Sequence, residues 1–103
     1  MKSGAAWGGF AIEAILGSVP HEEAYFWGTH NGAELDLLLF AKGKRIGFEF
    51  TLSPDSRVTP SMRAALADLG LDRLYVVHSG DKAWPLGERI EALPLAKARE
   101  SRE

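Results

Sequence analysis

The stretch AELDLLLFAKGKRIGFEFTL, residues 33–52, decides the fold. It holds two runs of strand-forming residues, Ala33 to Phe40 and Ile46 to Leu52, separated by Ala41-Lys42-Gly43-Lys44. A connection this short joins antiparallel strands. Because side chains alternate along a strand, Leu35, Leu37 and Leu39 are expected on one face and Glu34, Asp36, Leu38 and Phe40 on the other. In the second run Ile46, Phe48, Phe50 and Leu52 share a face opposite Arg45, Gly47, Glu49 and Thr51. Leucine on both faces of the first run predicts a sheet covered on both sides. Asp36 and Glu49 then stand in mid-strand among apolar neighbours, where a carboxylate needs a cation, a hydrogen-bond network or a raised pKa.

Upstream, Ala24-Tyr25-Phe26-Trp27 is aromatic and strand-prone, and His30-Asn31-Gly32 closes it with the strongest short hairpin signal. Three strands therefore follow one another as an antiparallel meander. Before them Trp7, Phe10, Ala11, Ala14 and Ile15 recur at helical spacing, and Gly17-Ser18-Val19-Pro20 ends the pattern, which predicts a helix over 6–16. Glu13 lies inside that helix, where composition alone reads it as an ordinary solvated carboxylate on the helix face.

Downstream, after the loop Ser53-Pro54-Asp55-Ser56-Arg57, Thr59 precedes Pro60 in the order of an N-cap and first-turn proline. Met62, Ala65, Leu66 and Leu69 repeat at helical spacing and Gly70 supplies a stop, giving a second helix over 60–69. Leu74-Tyr75-Val76-Val77 is a continuous apolar run, the pattern of a strand buried on both faces and placed inside the sheet. Ile90 to Leu95 reads as one more strand at an edge, and the charged residues 96–103 as a frayed tail. The order helix, three-strand antiparallel meander, helix, strand describes a mixed α/β domain over residues 5–95, with helices packed on a mixed sheet.

The 103 residues, 46% hydrophobic and 25% charged, suffice for one globular domain, and ten aromatics argue against disorder. A net charge of −2 excludes adhesion to nucleic acid or anionic membrane driven by bulk charge, so any such contact is local. With no cysteine, disulfide scaffolds, thiolate zinc sites and cysteine nucleophiles are excluded together. No apolar run approaches the ~18–20 residues that span a bilayer, and the N-terminus lacks a secretory signal pattern, so the expectation is a soluble, cytoplasmic protein.

If the two central strands are adjacent, Asp36 and Glu49 converge on one cation, joined by the backbone carbonyl of Phe50. Oxygen ligands of this kind suit Mg²⁺ or Mn²⁺, which positions a hydroxide and stabilises charge on a phosphodiester. The alternative is that both carboxylates are structural. His30 and His78 lack a second histidine at ligand spacing and read as turn caps. Trp7, Trp27 and Trp84 read as core residues, with base stacking the alternative. Lys42, Lys44 and Arg45 form the densest basic cluster outside the tail, either a phosphate contact or a soluble turn.

The element order resembles the PD-(D/E)XK, or restriction-endonuclease-like, superfamily. Trp7-Gly8-Gly9-Phe10-Ala11-Ile12-Glu13, Phe26-Trp27, Gly32-Ala33-Glu34-Leu35-Asp36-Leu37-Leu38, Gly47-Phe48-Glu49-Phe50 and Val77-His78-Ser79-Gly80 are similar to the C-terminal domain of unknown function of bacterial and archaeal AAA-type ATPases. The resemblance runs from about residue 5 to 95. It implies a restriction-endonuclease-like core, Glu13, Asp36 and Glu49 as Mg²⁺ or Mn²⁺ ligands, and Asp36, Glu49 and Thr51 as catalytic positions. Thr51 stands where the family usually has lysine; a hydroxyl supplies no fixed positive charge, and the loss is worth about 10²- to 10³-fold in rate. Lys44, Arg45 and Arg63 are the candidate substitutes and nucleic-acid contacts.

Two functions follow as expectations. One is a metal-dependent phosphodiesterase acting on nucleic acid. The other is a non-catalytic interaction or regulatory module whose partner is an AAA-type ATPase module, with a homodimer compatible with either. The phosphate-binding motif Gly-x-x-x-x-Gly-Lys-Ser/Thr of such an ATPase does not occur in these residues.

Overall fold

The local signals become structure much as the patterns require. In a computed structural model, which describes residues 5–28, 34–52 and 57–100, the order is α1 (Ala5–Ser18), β1 (Glu23–Gly28), β2 (Glu34–Ala41), β3 (Lys44–Phe50), α2 (Pro60–Leu69), β4 (Arg73–His78), β5 (Trp84–Gly87), β6 (Ile90–Pro94) and α3 (Leu95–Ala98). Helix α2 begins where Thr59 accepts the Met62 N–H and ends at Gly70, which takes the left-handed conformation (φ 61°) that glycine adopts without penalty. Lys42 (φ 55°) and Gly43 (φ 79°) make the two-residue turn between β2 and β3. The Asn31-Gly32 hairpin signal and His30 lie outside the described residues.

The six strands form one mixed sheet in the order β1-β2-β3-β4-β6-β5. β1, β2 and β3 are the expected antiparallel meander. β4 then runs parallel to β3 and β6 parallel to β4, while β5 pairs antiparallel with β6. Apolar side chains separate into two clusters, one on each face. The first gathers Ala11 and Ile15 of α1 with Leu37, Leu39, Ile46, Phe48, Phe50, Tyr75 and Val77. The second gathers Met62 and Ala65 of α2 with Leu35, Leu38, Leu74 and Val76. At Gly47 an added Cβ would approach Leu71 Cδ1 to 2.8 Å and Leu35 and Leu74 methyls to 3.1 Å, so the missing side chain lets these leucines close over β3.

Three expectations change. Strict alternation along β2 fails at Asp36: Tyr25 pairs with Leu38 but Trp27 with Leu35, so Asp36 and Leu37 together face the single residue Phe26. This bulge turns Leu35 onto the α2 side with Leu38, away from Leu37 and Leu39. The run beginning at Ile90 is not an edge. β6 lies between β4 and β5 with Ile90, Ala92 and Leu93 buried, and the edge is β5, whose Pro85 an edge strand tolerates. Finally, the tail expected to fray over 96–103 is ordered at its start: residues 96–98 belong to α3, Ala98 is fully buried, and Arg99 Nε donates to Ser18 Oγ at 3.0 Å, while 101–103 lie outside the described residues.

Candidate functional site

The β2–β3 ladder runs from Ala41 opposite Lys44 to Leu37 opposite Phe48. The next residue on each strand is Asp36 on one and Glu49 on the other, both half-buried. The expectation that these carboxylates lie on neighbouring strands therefore holds. The bulge decides what Asp36 does there. Its Oδ2 accepts the Phe50 N–H at 2.9 Å, in place of a backbone acceptor that β2 would otherwise offer. On its other side the chain stays tied to β4: Glu49 stands beside Val76, and Thr51 N–H donates to Val77 O at 2.9 Å. Thr51 is half-buried just beyond the end of β3.

Glu13 is not brought to this pair. It stands on the exposed stripe of α1 with Phe10 and Gly17, whereas the buried stripe, Ala11 and Ile15, packs on the face that carries Phe48 and Phe50. Glu49, one residue out of phase with those aromatics, belongs to the opposite face. Among the described residues, no group of three His, Asp or Glu side chains could hold a metal ion.

The basic residues are also dispersed. Lys44 and Arg45 begin β3, four to five residues from Glu49, or about 13–17 Å along the strand. Arg45 has structural work of its own: its N–H donates to Asp72 Oδ2 at 2.8 Å, its Nη1 to Leu69 O at 2.9 Å, and its guanidinium lies over the Phe40 ring, 5.7 Å from the centroid. It therefore caps the last turn of α2. Arg63 is exposed on α2 and lines a cavity of about 160 Å³ with Leu66, Glu88, Arg89 and Ile90, at the turn between β5 and β6.

The remaining candidates settle into the fold. His78 is buried, its Nδ1 accepts the Gly80 N–H at 3.0 Å, and its ring stacks on Trp84 at 5.0 Å, so it caps the turn after β4 as its position predicts. Its Nε2 has no hydrogen-bond partner among the described residues. Trp7 meets Phe50 edge to face at 6.4 Å, and Trp27 packs beside Leu35 and Leu38. Two features escaped the sequence pattern, the bulge at Asp36 and the clamp on Arg45. A bulge leaves no composition signal in a run of leucines, and the clamp joins residues that are far apart in the chain.

No described helix is long and apolar enough to cross a membrane. The family described as Domain of unknown function (DUF4143) matches residues 3–98. Uncharacterized proteins of Mycobacterium tuberculosis and Mycobacterium bovis are each 38% identical over 93 residues, which is 90% of this chain and 21% of the relative. The chain thus spans about a fifth of the length of these curated relatives. No solved structure matches.

Proposed function

The chain belongs to the DUF4143 family, and from that premise we propose that it is a non-catalytic interaction or regulatory module, working beside an AAA-type ATPase module, on a core of restriction-endonuclease-like ancestry. The observation that carries this reading is the Asp36–Phe50 hydrogen bond: one oxygen of the central carboxylate is committed to a backbone amide of the strand that should share a cation with it. The wider donor set agrees, because Glu13 faces solvent on α1 and, among the described residues, no third carboxylate joins Asp36 and Glu49. Thr51 offers a hydroxyl where a phosphodiesterase of this type uses a fixed cation. Mg²⁺ or Mn²⁺ held by Glu13, Asp36 and Glu49 together does not fit this arrangement.

The competing reading, a metal-dependent nuclease acting through Asp36, Glu49 and Thr51, draws on the adjacency of two half-buried carboxylates at a bulge. Thermal unfolding with increasing Mg²⁺ and Mn²⁺, beside the same titration on Asp36→Asn, separates the two. The module reading expects no metal-dependent rise in melting temperature and a lower melting point for Asp36→Asn, since a neutral acceptor is weaker than a charged one. A metal-dependent rise that Asp36→Asn abolishes, with a more stable metal-free variant, overturns it, because removing one of two facing charges then relieves repulsion.

A further inference from the structure

The two edges of the sheet are built differently. β5 is short, four residues, and carries Pro85 and a register shift between Pro85 and Gly87, features that spoil an edge as a template for another strand. β1 is six residues long, reads Glu23-Ala24-Tyr25-Phe26-Trp27-Gly28, has no proline or lysine, and pairs only with β2 among the described residues. Two of its three aromatics are uncovered, Phe26 at 73% exposed and Tyr25 at 49%, while Trp27 is half-buried. An open, aromatic edge of this kind is a pairing surface unless something covers it.

We propose that β1 pairs antiparallel with β1 of a second copy of this chain, with Phe26 on the two-fold axis, to give one continuous sheet across the dimer. The inference deepens the interaction-module reading, rests on it, and names its partner as another copy. The register follows from geometry. In an antiparallel ladder, opposed residues either both point their backbone groups at each other or both point them away, so a strand pairing with its own copy must have a residue on the axis. With Phe26 there, it faces its own copy on the α1 side. Tyr25 of each copy stands opposite Trp27 of the other on the α2 side, where Tyr25 already meets Phe40 at 5.7 Å. Ala24 stands opposite Gly28, and the Glu23 carboxylates fall beyond the paired segment at opposite ends. Aromatic cross-strand pairs are the favourable kind and no like charges are opposed. With Tyr25 on the axis instead, Glu23 would stand opposite Trp27. The blunted β5 edge stops growth at two copies.

The test is a dilution series of the 103-residue chain by sedimentation or light scattering, alongside single-cysteine variants that the absence of native cysteine allows. The expected result is a concentration-dependent monomer–dimer equilibrium with nothing larger. Phe26→Lys should abolish the dimer without lowering the melting temperature of the dilute protein, whereas Phe10→Lys, at an exposed aromatic off the edge, should keep it. Under mild oxidation Phe26→Cys should cross-link, since opposed Cα atoms lie about 4.5–5.5 Å apart. Ala24→Cys should not, because the two copies of that residue are offset by about 13 Å. A monomer at every concentration, open-ended association, loss of the dimer through Phe10 rather than Phe26, or cross-linking at Ala24 rather than Phe26 each overturns the proposal. Such a failure leaves the module reading standing, because that reading stands or falls on the metal titration.

Discussion

At both ends of β3 an aspartate from outside the strand accepts one of its backbone N–H groups. Asp72 Oδ2 takes the N–H of Arg45 at 2.8 Å, and Asp36 Oδ2 takes that of Phe50 at 2.9 Å. The surroundings differ. The Asp72 end is exposed, and the Arg45 guanidinium beyond it closes onto Leu69 O. The Asp36 end is half-buried, stands next to Glu49, and has Thr51 just beyond. The same bond is an ordinary strand tie at one end, while at the other it takes one oxygen of a carboxylate that nuclease chemistry would need. Which description fits Asp36 is a question of sign and size.

The middle of the strand sets the scale. Phe48 is fully buried between Phe50 and Tyr75, with ring centroids 6.3 and 5.7 Å away. Phe48→Ala should cost about 3–5 kcal/mol, a large share of the roughly 5–15 kcal/mol that stabilises a domain of this size. Urea unfolding measures it. If Phe48→Ala cost less than a change at either aspartate, the apolar middle would not be what holds β3.

Asp36→Ala comes next. It leaves the part-buried Phe50 N–H without its acceptor, and the expected loss is about 1–3 kcal/mol in the same unfolding experiment. A gain in stability would mean that repulsion with Glu49 outweighs the hydrogen bond, which is the behaviour of carboxylates that share a cation and the opposite of the Asp72 end.

Asp72→Ala should cost less, about 0.5–1 kcal/mol, because water reaches the exposed Arg45 N–H once the carboxylate is gone. Its cost should also shrink in high salt, since a carboxylate at an exposed end is screened, while the Asp36 cost should hardly change. Equal salt dependence at the two ends would erase the distinction drawn between them.

Much of this architecture is legible in the sequence, for local reasons. Thr59, Pro60 and Gly70 carry their own hydrogen-bond and dihedral chemistry, so α2 is bounded at Pro60–Leu69 as the pattern requires. The continuous run Leu74 to Val77 lies buried within the sheet. The neighbouring placement of Asp36 and Glu49 also follows from a short turn between two strands. What the pattern misses depends on long-range pairing. The extra residue opposite Phe26 exists only because β1 and β2 pair in two registers, and Leu on both faces of β2 hides it. β5 is spelled in turn residues and becomes a strand only because β6 lies beside it. Glu13 has the right spacing along the chain for a site but the wrong side of its helix, and helical periodicity alone does not say which stripe turns inward when apolar residues ring α1.

Glu23 offers the smallest and cleanest contrast, a carboxylate that meets a phenol rather than an amide of β3. Its charge is the main cause that raises the Tyr25 phenol above its usual value of 10.0, with burial and a hydrogen bond to Glu23 adding to it. The native state then keeps a proton that the unfolded chain releases near pH 10, so the unfolded state binds fewer protons in that window and stability falls as pH rises through it. The contribution is complete below the unfolded value and is lost once the native phenol ionises. Absorbance titration of the phenolate should show Glu23→Gln ionising at lower pH than the wild type, with the high-pH loss of stability reduced. An unchanged titration would mean that Glu23 does not act on Tyr25. If the edge pairing holds, the shift should grow with protein concentration, because the dimer places Tyr25 against Trp27 of the second copy and withdraws the phenol further from water.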